Sequence, residues 1–321
     1  AFAKLRKSFT SFMGISIPSI SKVVPRPEDS DSSQNLFVRL ASLCKAVVAC
    51  RVSPDQKREV VALVRSTYPD ITTLAIGDGA NDVAMIQEAH IGVGIRGEEG
   101  VQAVNSSDYA IAQFRYLQTL VLKHGRYNYI RMTYLVCFMF YKNILLSMVH
   151  FWMNFVDGWS GQKYFTEGSI QMYNLLYTSI PILLLGIYDM DLKVDTVYKY
   201  PKVFKATMNN EYFTSLTFWS WVGSGLVESV LCAILPMYAL NDLESFMQPG
   251  ALCFTIIIFI VNLKIFFIQS RFHWLHICVM VLSVLLWFAS AFFINDFTFF
   301  DWNWYGLFNR LCWNSSFWLT M

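Results

Sequence analysis

Asp78 and Asp82 stand four residues apart in the run Ala75-Ile-Gly-Asp-Gly-Ala-Asn-Asp-Val-Ala84, with Gly77 and Gly79 flanking the first of them. Two hard carboxylate oxygens converging on one point, with coordination positions left over, suit Mg²⁺ carrying a phosphate group. The glycines are expected to take positive φ in a tight turn and to let a ligand approach the backbone. Lys57 is the third candidate, placed after Ser53-Pro54-Asp55-Gln56. Ser53 can cap a helix, Pro54 suits its first position and Gln56 completes a capping box, which holds Lys57 in the first turn. From there a lysine can reach a phosphoryl oxygen. Taken singly, these are a solvated Asp-Gly turn and a surface lysine; supplied by successive strand ends of one sheet, they become a phosphate site.

The elements that must position them can be read on either side. Ile71 to Ile76 is apolar and β-branched enough to be a buried parallel strand, and Val83 to Ala89 reads as a helix, which puts Asp78 just past a strand's carboxyl end. Upstream, Leu36 to Ser42 reads as a helix, Lys45 to Val52 as a strand and Gln56 to Thr67 as a helix. A strand at Ile91 to Ile95, a helix at Glu98 to Asn105 and a strand at Tyr109 to Ala112 follow. This alternation predicts a doubly wound parallel α/β sheet, with Lys57, Asp78 and Asp82 at the edge where such sheets bind ligands. Residues 1–35, rich in serine and carrying Pro18, Pro25 and Pro27, are expected to be irregular.

The second half has a different composition. Over 321 residues the mean hydropathy is +0.40 with 17% aromatics, too apolar for a wholly soluble protein. The excess lies in five stretches, Met132 to Val156, Ile170 to Tyr188, Thr214 to Leu240, Gly250 to Gln269 and His273 to Ile294, each near the ~20 residues a membrane-crossing helix needs. A sixth begins near Phe317, and Arg115 to Arg131 reads as a stalk helix leading into the first. The expected organisation is therefore a sheet domain at 36–114, a stalk at 115–131 and an all-α polytopic membrane domain at 132–321. Lys193, Lys199, Lys202, Lys205 and Arg271 fall on the same side as the stalk, whereas the opposite loops hold only Lys163. By the positive-inside bias the sheet domain is cytosolic, with plasma membrane or endomembrane left open. A net charge of +2 argues against a nucleic-acid partner, and seven cysteines without a C-x-x-C pair read as packing residues. Lys142, near the middle of the first apolar stretch, costs about 3 kcal/mol there and therefore points to function. Glu228 and Lys264 are further charges within the apolar stretches and receive no assignment.

Cys50-Arg-Val-Ser-Pro-Asp-Gln-Lys57, then Gly77-Asp-Gly-Ala-Asn-Asp-Val83, then a basic stalk and several membrane helices, together resemble the carboxyl-terminal half of a P-type ATPase. Cation pumps of that superfamily carry a Thr-Asp pair just before a proline in the second of these helices. Here the run is Asn174-Leu-Leu-Tyr-Thr-Ser-Ile-Pro181, with Ser179 at the Asp position. With Tyr141-Lys142-Asn143, Val149-His-Phe-Trp152 and Gly186-Ile-Tyr-Asp-Met-Asp191, the chain is most similar to the phospholipid-translocating group, the flippases.

The resemblance implies a haloacid-dehalogenase-like phosphorylation domain that uses ATP and Mg²⁺. It assigns catalytic roles to Lys57, Asp78, Asn81 and Asp82, the metal to Asp78 and Asp82, and nucleotide contacts to Arg51, Lys57 and Asn81. Lys142, Asn143, Asn174 and Thr178 would line the path of a phospholipid headgroup, and an accessory β subunit is implied as a partner. The Asp-Lys-Thr-Gly-Thr stretch that bears the phosphorylated aspartate is absent, so the chain is expected to be the C-terminal part of a longer flippase, inactive alone. A cation-transporting relative and a non-catalytic membrane protein are the alternatives.

Overall fold

The computed structural model describes residues 33–97, 101–240, 246–296 and 304–321. The chain forms two compact units, residues 1–124 with 200–202, and residues 125–199 with 203–321.

In the first unit, helix α1 (Ser33–Leu43) opens the described chain, so residues 33–35 are helical, while residues 1–32 lie outside the description. Helix α2 (Pro54–Thr67) begins as its sequence dictates. Gln56 N–H donates to Ser53 Oγ at 3.3 Å and Ser53 N–H donates to Gln56 Oε1 at 3.0 Å, a reciprocal capping box with Pro54 inside it. Strands β1 (Leu74–Gly77), β2 (Ile91–Ile95) and β3 (Tyr109–Ile111) form a parallel sheet in sequence order, with Ile76 beside Val93 and Gly94 beside Ala110. Helices α3 (Val83–Glu88) and α4 (Gln102–Asn105) make the crossovers, and Ala75, Ile86 and Ala103 form a small core between helices and sheet. The expected start of α4 at Glu98 lies outside the described residues.

The strand expected at Lys45 to Val52 does not form. Those residues have no ladder partner among the described residues, and Val47 and Val48 are exposed. A β-branched run becomes a strand only where an edge receives its backbone groups, and among the described residues β1 pairs with β2 alone. The strand before the Asp78 turn is also shorter than expected, starting at Leu74 rather than Ile71.

The second unit is helical. Helix α5 (Arg126–Val156) buries Tyr127, Ile130, Cys137, Phe138, Tyr141, Lys142, Leu145, Leu146, Val149 and Met153, a stripe at the 3.6-residue period. A seven-residue π-helical stretch, Thr119–Gly125, leads into it. Helix α6 (Glu167–Met172), a π turn (Tyr173–Tyr177) and helix α7 (Ser179–Tyr188) make the second crossing. Two short helices, α8 (Val194–Lys199) and α9 (Phe204–Met208), lead to α10 (Ser215–Ala239), α11 (Met247–Ile268) and α12 (Trp274–Asp296). Short helices α13 (Leu307–Trp313) and α14 (Ser315–Thr320) follow, the latter opening two residues before the expected sixth segment. Among the described residues five helices are long and apolar enough to cross a membrane, matching the five apolar stretches.

α10 lays a stripe of small side chains, Gly225, Ser229, Cys232 and Ala233, inward, and it packs along α5. Small residues permit such close approach where lipid supplies no hydrophobic drive between helices. Helix α11 is buried on nearly every side from Met247 to Ile258 and is the axis of the core. Around it Phe254 and Trp287 stand 4.7 Å apart, and Trp287 Nε1 donates to Thr255 Oγ1 at 3.1 Å.

One junction was not foreseen. Arg126 is 1% exposed and donates to Asp191 Oδ2 at 2.6 Å, Val203 O at 2.8 Å and Tyr212 Oη at 2.9 Å. Asp189 Oδ1 accepts from the backbone N–H groups of Ser270 and Arg271, both at 3.0 Å, and Asp189 O accepts from Arg131 Nε at 2.6 Å. The Gly186–Asp191 motif thus ties α5, the segment after α7 and the end of α11 together. Arg126, within the expected stalk of residues 115–131, is a buried clasp because its donors find acceptors on three segments.

Candidate functional site

Two places carry the residues singled out from the sequence, one in each unit. In the first, the edge beyond the carboxyl end of β1 holds Asp78, Asn81 and Asp82. Asp82 sits at the start of α3 with φ −101° and ψ −8°, and its side chain caps nothing. Its carboxylate instead accepts from Lys57 Nζ at 2.7 Å, so the capping box of α2 and the turn after β1 deliver a cation and an anion to one point. Asp78 and Asn81 are exposed and make no side-chain hydrogen bond among the described residues.

Gly77 does not have the expected positive φ, nor does Gly79, whose φ is −113°. Gly77 is required for space: a Cβ there would lie 2.3 Å from the Asp82 Cβ. The missing side chain lets the Asp82 carboxylate fold back over the strand end. Asp82, engaged on one oxygen by Lys57, and Asp78, exposed and open, supply hard oxygens of the kind that share Mg²⁺ with a phosphate; the residues present fit that ion. Among the described residues no cluster of three or more His, Cys, Asp or Glu forms an all-protein metal cage, and Mg²⁺ commonly keeps several waters and needs none. Arg51 lies outside this cluster. It is exposed in a bend before Ser53, at φ +54°, with no hydrogen-bond partner among the described residues.

In the second unit the site is built by a broken helix. Pro181 has no N–H and its ring excludes the carbonyl of Tyr177. The chain opens into the π turn Tyr173–Tyr177, and hydroxyls take over the work of the missing backbone donors. Thr178 Oγ1 donates to Tyr173 O at 2.7 Å, Ser179 Oγ donates to Asn174 O, and Ser283 Oγ of α12 donates to Tyr177 O. A hydroxyl that has spent its proton still has lone pairs. Thr178 Oγ1 accepts from Lys142 Nζ at 2.8 Å, with both side chains fully buried. The ring of Tyr173 lies 5.8 Å from the same ammonium.

The structure therefore brings Lys142 and Thr178 together and leaves Asn143 and Asn174 apart from them. Both asparagines lie at exposed positions without side-chain hydrogen bonds among the described residues. Asn143 is rotated by 100° from Lys142 on the same helix, and Asn174 is carried outward by the π turn. Sequence reasoning missed the break itself, although Pro181 preceded by two hydroxyl residues was its signal. It also missed the partner of Glu228, which is Lys264, at 2.7 Å.

The family described as phospholipid-translocating P-type ATPase C-terminal matches residues 104–321. Phospholipid-transporting ATPase ID of Homo sapiens is 46% identical over 206 residues, which are 64% of this chain and 17% of that protein. Phospholipid-transporting ATPase IC of Homo sapiens is 46% identical over 209 residues, 65% of this chain and 17% of that protein. A phospholipid-transporting ATPase of Schizosaccharomyces pombe is 46% identical over 210 residues, 64% of this chain and again 17% of the relative. The chain thus spans about a sixth of the length of these curated relatives. With the family match covering residues 104–321, more than half of its length, the chain belongs to the phospholipid-translocating P-type ATPase family.

Proposed function

We propose that this chain supplies two working parts of an ATP-driven phospholipid flippase: the metal side of the phosphorylation site and the cationic station on the lipid path. The observation that carries the reading is Lys142. An ammonium has three donors, and in a fully buried position among membrane-length helices this one has a single hydrogen-bond acceptor, Thr178, and no carboxylate among the described residues. Two unspent donors and an unanswered positive charge favour an anionic ligand. A phospholipid headgroup phosphate has that charge and the acceptors to use both donors.

In the first unit, residues 36–114 would belong to a haloacid-dehalogenase-like phosphorylation domain facing the cytosol. Asp78 and Asp82 would hold Mg²⁺, which supplies neutralisation of phosphate charge when bound. Lys57 holds Asp82 in place and offers its remaining donors to the transferring phosphoryl group, with Asn81 and Arg51 on the nucleotide side; catalysis of this kind rests on positioning and charge. The phosphorylated aspartate would lie in the part of the relatives' length that this chain does not span. Movement along residues 115–131 would carry phosphorylation to α5 and open the Lys142 station to one leaflet or the other, with Asn143 and Asn174 at its rims. An accessory subunit on the loops opposite the sheet domain completes the proposal.

The rival reading, a cation pump, needs free carboxylates in the membrane. Glu228 is the one carboxylate within the five apolar stretches, and Lys264 already answers it. The test uses a full-length ATPase carrying this chain. Phosphoenzyme formed from labelled ATP is chased with phospholipid in mixed micelles or with metal cations. Decay accelerated by phospholipid, and lost in Lys142→Ala, is the expected result. Decay driven by a cation and indifferent to phospholipid would sink the reading, as would phosphoenzyme formation undiminished in Asp78→Asn.

A further inference from the structure

Glu228 and Lys264 sit in separate helices, 36 residues apart, and the fold makes them one cluster. Lys264 Nζ donates to Glu228 Oε1 at 2.7 Å and to Ser224 Oγ at 3.3 Å. The other carboxylate oxygen, Oε2, accepts from the Tyr141 hydroxyl. The Lys264 ammonium also stands 4.5 Å from the centre of the Tyr141 ring and 5.8 Å from that of Trp221, within range of a cation–π attraction. At Gly225 the backbone of α10 rests against the same tyrosine, since a Cβ there would come within 3.3 Å of its ring and its carbonyl oxygen. Helices α5, α10 and α11 therefore meet at one electroneutral polar cluster, centred on the residue immediately before Lys142.

Consecutive residues of an α-helix point 100° apart. Tyr141 thus faces the Glu228–Lys264 pair while Lys142 faces Thr178, and α5 is held between two polar contacts. A rotation of about 20° moves a side-chain tip at the ~6 Å outer radius of a helix by about 2 Å. That would break the 2.8 Å bond from Lys142 to Thr178. A charged cluster costs more to bury than apolar side chains of the same volume, but its directional bonds permit one rotation of the helix where apolar packing permits several. We infer that the Tyr141–Glu228–Lys264 cluster is a positioning element: it fixes the rotation of α5 and so the place at which Lys142 is offered to a headgroup. The inference rests on the proposed role of Lys142.

The test is the dependence of ATP turnover on phospholipid concentration in a full-length ATPase carrying this chain, with phosphatidylserine, phosphatidylethanolamine and phosphatidylcholine tried in turn in mixed detergent micelles. In Glu228→Gln the lipid KM is expected to rise about tenfold while kcat stays within about twofold. Tyr141→Phe, which keeps the ring and removes only the hydroxyl, is expected to raise the KM about threefold in the same direction. Should Glu228→Gln fail to fold, Tyr141→Phe decides. A cluster that only glues helices together would lower thermal stability and leave the KM of the folded protein unchanged, and that result overturns the inference. If Lys142→Ala raises the lipid KM and neither cluster variant does, the positioning role alone fails. An unchanged KM in Lys142→Ala would remove the lipid-station reading and this inference with it.

Discussion

Two regions of the membrane helices hold a lysine, and they differ in what answers its charge. Lys264 lies against a carboxylate, a hydroxyl and two aromatic faces, and about a quarter of its side chain is exposed. Lys142 is completely buried and has one neutral hydroxyl and the ring of Tyr173, with no anion among the described residues. Desolvation alone would favour the opposite arrangement, with the deeper lysine the better paired. The contrast separates a cation whose partners are built into the fold from one whose partner has to arrive. It also explains why the broken helix α6–α7 matters: without Pro181 the hydroxyl of Thr178 would belong to a regular helix, and the hydrogen bond of Lys142 would have no defined place.

The comparison breaks or sharpens on substitutions that treat the two lysines alike. Lys142→Ala removes the unanswered cation, and loss of a buried charged contact to ligand is worth about 2–5 kcal/mol. Phospholipid-accelerated phosphoenzyme decay should therefore fall by well over tenfold, read by a chase with unlabelled ATP and lipid. Lys264→Met strands Glu228 instead. A stranded buried charge costs about 3–5 kcal/mol; partial exposure reduces this to about 2–3 kcal/mol of stability, seen as a lower midpoint in heated, detergent-solubilised protein. Adding Glu228→Gln to Lys264→Met should recover part of that midpoint, whereas no second neutralisation exists that would rescue Lys142→Ala. Thr178→Val keeps the shape and removes the acceptor of Lys142 and the donor to Tyr173 O, at about 1–2 kcal/mol. Its lipid KM should rise several-fold, and an unchanged KM would mean that the π turn does not present the lysine. The smallest effect belongs to the other unit. Ser53→Ala deletes the capping box at a cost of about 1 kcal/mol, lowering the sheet unit's melting midpoint without altering the phospholipid dependence.

Much of this architecture was legible in the residues, for reasons that differ by element. The five long helices followed from uninterrupted apolar runs, and the start of α2 from Ser53, Pro54 and Gln56, because a cap is decided within four residues. Lys57 meets Asp82 by another route than the expected one: the strand before Lys57 does not form, and the capped start of α2 and the turn after β1 bring the two together. Less local features were not legible. Val47 and Val48 have the side chains of a strand, but a strand also needs a neighbouring edge. The glycine at position 77 was read as conformational freedom and proved to be room for Asp82. Asn143 and Asn174 are grouped with Lys142 by motif, and helical rotation and the π turn leave them exposed where Lys142 is buried. The pairing of Glu228 with Lys264 joins helices that only tertiary packing aligns; two opposite lone charges in apolar stretches were its one signal.

The most direct test sets the two lysines side by side. In a full-length ATPase carrying this chain, the rate of phosphoenzyme decay is measured against phospholipid concentration for Lys142→Ala and for the Glu228→Gln/Lys264→Met pair. The account predicts that lipid acceleration disappears in Lys142→Ala and persists, at a raised half-maximal concentration, in the paired variant. Lipid acceleration persisting in Lys142→Ala with its original half-maximal concentration would contradict it.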